Sequence, residues 1–169
     1  ALPDDGHRYE IVEGVLYMTP APNISHQEAV GWFFHYLLTH VKIAGLGRVF
    51  VAPVDVELAP NVVVQPDLLV IFNEGLEKIT PSRIIGAPDL VVEVASPATA
   101  GYDRREKQDA YARAGVPEYW FADPASRTVE VLVLEGGSYQ SWGIFSGQAT
   151  IISRVLPTIS AVPVEKFFV

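Results

Sequence analysis

The sequence contains no cysteine among its 169 residues. This absence excludes disulfide bonds, thiolate catalysis and zinc sites built from cysteine. The apolar runs are short, such as the one from Leu68 to Phe72, and none approaches the roughly 18 apolar residues that a membrane-spanning helix needs. The amino terminus also lacks the basic-then-apolar pattern of a secretion signal. We therefore expect a cytoplasmic protein that makes no membrane contact.

Motifs of several common enzyme classes are missing as well. There is no GxxxxGK[ST] phosphate loop, no GxGxxG nucleotide-binding loop and no GxSxG nucleophile elbow. The four histidines show neither the HxH nor the HExxH spacing of zinc ligands, so most of them are expected to be ordinary surface or core residues. They are His7, His26, His35 and His40.

Composition favours a folded domain of moderate acidity. Hydrophobic residues make up 49% of the chain and charged residues 19%, which is too apolar for a disordered segment. A chain of this length buries roughly two-thirds of its unfolded surface, and we expect one domain over residues 1–169. The net charge of −8 opposes non-specific binding to nucleic acid, because lysine and arginine supply most of that affinity.

The amino-terminal part of the chain predicts a hairpin followed by a helix. Residues 9–13 and 15–19 flank a glycine and alternate as two short strands do. Ser25 and Glu28 have the spacing of a capping box. The apolar residues that follow recur at helical spacing and predict a buried helix over residues 26–44.

The rest of the chain predicts strands and a second helix. A capping box of Asp103 and Glu106 opens a helix that ends at Ala114, after Pro97 has broken the preceding strand. One helical turn is expected near 81–84, and a short helix over 164–168. The predicted strands cover 48–52, 54–58, 67–72, 89–95, 116–123, 128–135, 138–144 and 149–153.

This order of elements predicts an α/β fold. We expect a mixed β-sheet flanked by helices, with a hairpin at the amino end and another near the carboxyl end. The strand at 89–95, the helix at 103–114 and the strand at 117–123 form a unit that predicts a parallel pair joined by a crossover.

Two carboxylates carry the chemical signal. Glu93 lies inside the most apolar strand of the sequence. Asp67 begins another strand, in which Leu69 and Ile71 occupy alternate positions. An ionised acid in such a place is costly unless it is paired or bound to a metal. A divalent cation such as Mg²⁺, which prefers oxygen ligands, would compensate both acids. The alternatives are a structural ion pair for Glu93 and a turn-capping role for Asp67.

Lys107 and Glu13 are the other candidates. Lys107 shares the less polar face of the second helix with Tyr111, four residues later. A lysine beside two acids and a metal can orient a water molecule or stabilise charge on a phosphate. Glu13 ends the first strand and is a candidate for a further ligand or supporting acid. The alternatives are a surface lysine whose stem alone is buried and a solvated turn acid.

The same residues belong to segments that resemble a known family. YEIVEGVLY, PAPNISHQ, QPDLLVI, APDLVVEVASP and YDRREKQDAYARAGVPEYWFADP are similar to segments of the Uma-two-type restriction endonuclease family, a branch of the PD-(D/E)XK nuclease superfamily. The resemblance covers residues 8–135. It implies a restriction-endonuclease-like core, with Pro66 and Asp67 as the "PD" and Glu93 as the "(D/E)". Glu13 is carried over as a supporting acid.

The sequence departs from the superfamily pattern at one position. The lysine expected two residues after the glutamate is replaced by Ala95. Other branches place this lysine on the following helix, where Lys107 is the natural substitute. His26, Ser96 and Tyr111 also match residues common in the family, and no role is assigned to them.

The resulting hypothesis is a Mg²⁺- or Mn²⁺-dependent endonuclease that hydrolyses phosphodiester bonds in DNA. Asp67, Glu93 and the carbonyl of Val94 are the expected metal ligands, and Lys107 is expected to position the attacking water. A homodimer is expected by analogy with enzymes that cut two strands. The first alternative is an inactive nuclease fold that binds DNA or protein. The second is a structural dimer built on the carboxyl-terminal hairpin, whose aromatic side chains are Tyr139, Trp142 and Phe145.

Overall fold

A computed structural model describes residues 4–5, 7–19, 23–96 and 101–169 of the chain. Its α-helices are α1 (Ile24–Leu37) and α2 (Gly101–Ala114). A π-helical segment, Leu38–Ile43, continues α1, and three 3-10 helices cover Asn73–Lys78, Pro157–Ala161 and Val164–Phe168. The strands are β1 (Arg8–Val12), β2 (Val15–Thr19), β3 (Gly47–Val51), β4 (Val56–Ala59), β5 (Val62–Val64), β6 (Leu68–Phe72), β7 (Ile84–Ile85), β8 (Leu90–Val94), β9 (Glu118–Asp123), β10 (Thr128–Glu135) and β11 (Ser138–Ser146).

Within the described residues, these strands form two sheets. The larger has the order β11-β10-β9-β8-β6-β3, and the smaller has the order β2-β1-β5-β4-β7. In the larger sheet, β8 and β9 are parallel and are joined through α2, whereas β6 runs antiparallel to both β8 and β3. The predicted mixed sheet with flanking helices and two hairpins is therefore confirmed. The second sheet, which takes in the amino-terminal hairpin, was not predicted.

The central strands β6 and β8 of the larger sheet are buried on both faces. Successive residues of a strand point to opposite faces, so β6 and β8 must be apolar at nearly every position. Leu68 and Val92 belong to the core beneath α1 and the carboxyl-terminal 3-10 helices. Leu69 and Val91 belong to the core shared with α2 and the smaller sheet. A charged side chain in either strand consequently has to find a partner inside the protein.

The first helix begins earlier than the sequence pattern indicates. Asn23 is its N-cap, and the Asn23 side chain accepts a hydrogen bond of 2.9 Å from the backbone N–H of His26. Ser25, predicted as the cap, lies inside the helix, and its hydroxyl donates to the Asn23 side chain. Asparagine caps as well as serine does, so local sequence alone did not distinguish the two. The α-helix ends at Leu37, and a π-helical segment replaces its predicted last turns.

Two other predicted elements are wrong. The turn expected near 81–84 is not helical, because Ile84 is buried and begins strand β7 beside β4. Residues 149–153 form no strand, and only Thr150 makes an isolated bridge, with Pro163. The backbone just after this segment instead donates to a buried carboxylate, that of Glu118. In both places, long-range burial and pairing override the local sequence pattern.

The second helix starts before its predicted first residue. Helix α2 begins at Gly101, two residues before Asp103, and ends at Ala114 as expected. The predicted capping role of the Asp103 side chain and the predicted break at Pro97 lie outside the residues that are described in this respect. No helix in the described part of the chain combines the length and the apolar character needed to cross a bilayer.

Candidate active site

Asp67 and Glu93 lie side by side on neighbouring antiparallel strands. Leu68 of β6 is paired with Val92 of β8, so the same register carried one residue further places Asp67 opposite Glu93. The backbone N–H of Val94 donates a hydrogen bond of 2.8 Å to Oδ2 of Asp67. The sheet therefore brings together the two acids that the sequence singled out.

Helix α2 delivers a lysine to this pair of acids. The Nζ atom of Lys107 lies 2.7 Å from Oε1 of Glu93 and 2.8 Å from Oε1 of Glu10. One turn later, the hydroxyl of Tyr111 donates to Oε1 of Glu93 at 2.6 Å. The predicted inward orientation of Lys107 is confirmed, since this residue is only 9% exposed. Its two carboxylate partners come from different sheets.

Glu10 is a member of the cluster that the sequence interpretation missed. Its Oε1 accepts hydrogen bonds from Lys107 and from the backbone N–H of Gln65. Strand β1 alternates so that Arg8, Glu10 and Val12 point towards the protein interior. Period-two alternation, with apolar Val12 as the reference residue, was the signal that could have identified Glu10.

The structure does not bring Glu13 to the cluster. This residue lies in the turn between β1 and β2 with a positive φ of 51°. Its side chain is 61% exposed and pairs with Arg113 on the surface. The supporting acid that the sequence interpretation assigned to Glu13 is instead Glu10, which lies in strand β1.

Two cationic or polar side chains hold Asp67 from the opposite direction. The Arg8 guanidinium donates to Oδ1 of Asp67 at 3.1 Å and to the carbonyl of Gln65 at 2.5 Å. Nε2 of His26, in the first turn of α1, lies 3.2 Å from Oδ2 of Asp67. His26 thus contacts Asp67 with its ring, while its backbone N–H donates to the N-cap residue Asn23. Sequence reasoning did not assign either Arg8 or His26 to the site, because both contacts span more than 40 residues of chain.

These partners keep Asp67 ionised. Burial by itself would raise the pKa of Asp67, but the hydrogen bond and charge of His26, the charge of Arg8 and the N–H of Val94 outweigh it and lower the pKa to about 2. A carboxylate that accepts several hydrogen bonds next to a cation behaves in this way. Asp67 is therefore a negative charge at every pH at which the protein is expected to work.

The pKa of Glu93 is shifted in the opposite direction to that of Asp67. Burial raises its pKa to about 7; the positive charge of Lys107 opposes this rise, and the negative charges of Asp67 and Glu10 add to it. For Lys107, the charges of Glu10 and Glu93 outweigh burial and raise its pKa, so the ammonium stays protonated. Lys107 thus pairs with two acids, Glu10 and Glu93, while Arg8 pairs with Asp67.

The donor set suits a hard divalent cation. Within the described residues, no three His, Asp or Glu side chains converge as a self-sufficient metal site. However, Mg²⁺ is commonly held by one or two carboxylates together with water and substrate phosphate. Among the described contacts, Glu93 uses only Oε1, and Oδ1 of Asp67 accepts one hydrogen bond, from Arg8, so both acids keep a lone pair for a cation. An added positive charge would also offset the burial, and the repulsion from Asp67 and Glu10, that raise the pKa of Glu93.

Comparison with known proteins supports the resemblance that the sequence segments indicated. The family model of Uma2, described as "Putative restriction endonuclease", matches residues 1–165. None of the curated proteins searched matches the chain. A solved structure from Anabaena variabilis ATCC 29413, described as a "putative nuclease belonging to DUF820", superposes with a TM-score of 0.81 at 19% sequence identity. The alignment covers 99% of this chain and 93% of that chain, and at this identity it establishes a common fold.

Proposed function

Because the chain belongs to the Uma2 restriction endonuclease family, we propose that it is a Mg²⁺- or Mn²⁺-dependent endonuclease that hydrolyses phosphodiester bonds in DNA. The observation that carries this proposal is the adjacency of Asp67 and Glu93, with the ammonium of Lys107 at 2.7 Å from Glu93. Two acids and a lysine in one buried cluster provide ligands for a cation and a positive group for a phosphate.

Each residue of the cluster has a distinct role in this proposal. Asp67 and Glu93 hold the cation, with the carbonyl of Val94 as a further oxygen ligand. A bound cation would supply Lewis-acid chemistry at a phosphoryl oxygen and would lower the pKa of water. Lys107 orients the attacking water and stabilises the charge that develops on the phosphate. Glu10 holds Lys107 in place through its 2.8 Å ion pair.

The residues on the other side of Asp67 support this arrangement. Arg8 and His26 fix the Asp67 carboxylate, and they keep it negative. Tyr111 fixes the carboxylate of Glu93 by donating its hydroxyl hydrogen. The cluster is thereby preorganised, so little reorganisation is needed when a charged substrate arrives.

A cleavage assay tests the proposal directly. The wild-type protein is incubated with plasmid and with single-stranded DNA in Mg²⁺, in Mn²⁺ or in EDTA. We expect metal-dependent cleavage that Asp67→Asn and Glu93→Gln reduce by at least about 100-fold, and Lys107→Met by about 10- to 100-fold. Glu13→Gln is the matched control, an exposed acid whose loss should leave cleavage unchanged. Undiminished cleavage by either of the first two variants would reject the assigned roles.

An inactive nuclease fold that binds DNA or protein is the alternative. The replacement of the usual strand lysine by Ala95 favours it. Titration calorimetry with Mn²⁺, with and without DNA, distinguishes the two: binding that is lost in Glu93→Gln supports the enzyme, and no binding in either condition supports the inactive fold. A cytoplasmic location and a homodimer remain proposals. Sedimentation of the purified protein with and without DNA tests the dimer.

A further inference from the structure

A cavity of about 390 Å³ opens beside Asp67, between helix α1 and the end of strand β3. Arg8, His26 and Asp67 line one side of it, and these are the residues that form one half of the candidate active site. The cavity is therefore continuous with the site. Its volume lies within the range of pockets that bind small organic groups, roughly 300–1,000 Å³.

The remaining walls are mainly apolar. Val30 and Phe34 contribute from α1, and Val51 and Pro53 contribute from β3 and the loop after it. A metal ion or a lone phosphate would gain nothing from such a surface. A flat heteroaromatic ring gains both apolar burial and stacking against an aromatic side chain, and nucleobases are the groups of this kind that DNA supplies.

Two buried polar atoms of the lining residues lack a partner. Nδ1 of His26 and Nε of Arg8 make no hydrogen bond with any residue that the structure describes. Buried polar atoms are normally paired, and an unpaired one calls for an explanation. Neither atom reaches the surface of the cavity, so the affinity for a base comes from apolar burial and from stacking on Phe34 rather than from these two atoms.

We propose, resting on the nuclease function above, that this cavity receives the base of an unpaired nucleotide next to the scissile phosphate. The preferred substrate is then single-stranded or locally unpaired DNA. A paired base can enter such a cavity only by leaving its stack, which costs a few kcal/mol. The net charge of −8 agrees with this assignment, because the affinity that phosphate contacts cannot supply has to come from the base.

Gly31 provides a way to close the cavity without damaging the fold. It lines the cavity in the middle of α1, and a Cβ atom added there would meet no atom within 4 Å. Leucine is also a better helix former than glycine. Gly31→Leu should therefore fill the cavity and keep or raise the melting temperature. Gly31→Ala is the matched control, since it changes the helix in the same way but adds only one carbon.

The experiment measures DNA binding in a background that does not cut. Glu93→Gln supplies that background, and the probes are a fluorescently labelled single strand and the same strand in a duplex, in Mg²⁺. We expect tighter binding of the single strand, a loss of roughly tenfold or more on adding Gly31→Leu, and little change with Gly31→Ala. Equal binding of the two DNAs, or unchanged binding by Gly31→Leu, would overturn the inference.

Two further measurements separate this inference from the nuclease function. If the wild type and Gly31→Leu both cleave duplex and single strands equally well, the nuclease function is supported and the base pocket is rejected. If no DNA is cut but the single strand still binds, and Gly31→Leu weakens that binding, the base pocket is supported and the nuclease function is rejected. Deoxyadenosine monophosphate and deoxyribose 5-phosphate serve as competitors. Binding of the free nucleotide without binding of the strand would overturn the assignment of a DNA substrate.

Discussion

Two buried glutamates on neighbouring parallel strands show opposite solutions to the same electrostatic problem. Glu118 is fully buried near the start of β9, and its carboxylate accepts hydrogen bonds from Ser153, Trp120 and two backbone N–H groups, at 2.5 to 3.2 Å. Glu93 lies near the end of β8, where Lys107 and Tyr111 both bind one oxygen of its carboxylate.

The difference lies in what surrounds each carboxylate. Around Glu118, the described donors are neutral and are fixed by the fold, so they satisfy the acid and tie residues 153–155 to the sheet. Around Glu93, burial raises the pKa to about 7; the positive charge of Lys107 opposes this rise, and the negative charges of Asp67 and Glu10 add to it. A satisfied buried acid is part of the architecture, whereas a buried acid with a raised pKa beside other acids is a candidate functional residue.

The first prediction breaks the structural member of the pair. Glu118→Ala leaves an indole N–H, a hydroxyl and two backbone N–H groups without their acceptor, and it opens a void in the core. We expect the free energy of unfolding to fall by about 3–4 kcal/mol, as measured by urea denaturation. The exposed control Glu13→Gln should lose about 0.5 kcal/mol or less. Similar losses in the two variants would mean that Glu118 is not the anchor described.

The second prediction concerns Asp67, whose pKa is lowered to about 2 from 3.8. A depressed carboxylate pKa stabilises the folded protein above pH 4, and this contribution disappears as the pH falls from 4 towards 2. Asp67→Asn should therefore lower the free energy of unfolding by about 2 kcal/mol at pH 7. The difference in this free energy between the variant and the wild type should become smaller in acid. Unfolding curves between pH 6 and 2.5 measure this difference, and a difference in the free energy of unfolding that does not change with pH would contradict the expectation.

The third prediction concerns the effect of Glu93 on stability, which is the smallest of the three effects and distinguishes Glu93 most clearly from Glu118. Because the pKa of Glu93 is raised from 4.5 to about 7, its ionisation opposes folding, and stability should decline as the pH rises through this interval. Glu93→Gln lacks that decline and should be more stable than the wild type above pH 7 by about 1 kcal/mol in EDTA. Melting temperatures at pH 5 and pH 8 test this.

Adding Mn²⁺ should reverse the order of the two proteins. The wild type gains stability from a ligand bound only to the folded state, and Glu93→Gln does not. Since the cation displaces a proton from Glu93, the gain should be larger at pH 8 than at pH 6. A wild type insensitive to Mn²⁺ at both pH values would show that the excess charge has a purely structural role.

Sequence reasoning identified Asp67, Glu93 and Lys107, because each stands out locally. Glu93 interrupts an apolar strand, Asp67 opens another, and Lys107 lies on the apolar face of a helix whose other charges point outward. Their alternation and helical spacing also fix the face of the element on which each lies. These are short-range properties that three to seven residues of sequence express.

The other members of the cluster could not be read in this way. Glu10 and Arg8 belong to a strand of the second sheet, and that sheet exists only because β1 pairs with β5 some 50 residues later. His26 lies in the first turn of α1, where only its backbone N–H has a local partner, Asn23, and its ring contacts Asp67 across 41 residues of chain. Glu13 was the acid chosen from the sequence, but the turn at this residue places its side chain in solvent.

What the sequence alone determined is the set of elements with strong periodicity and the acids that this periodicity forces into the interior, because local sterics and the cost of burying charge act over a few residues. Only the tertiary structure decided which side chains compensate those acids and where a cavity adjoins them. Both depend on how distant strands and helices pack together, and no local pattern encodes that packing.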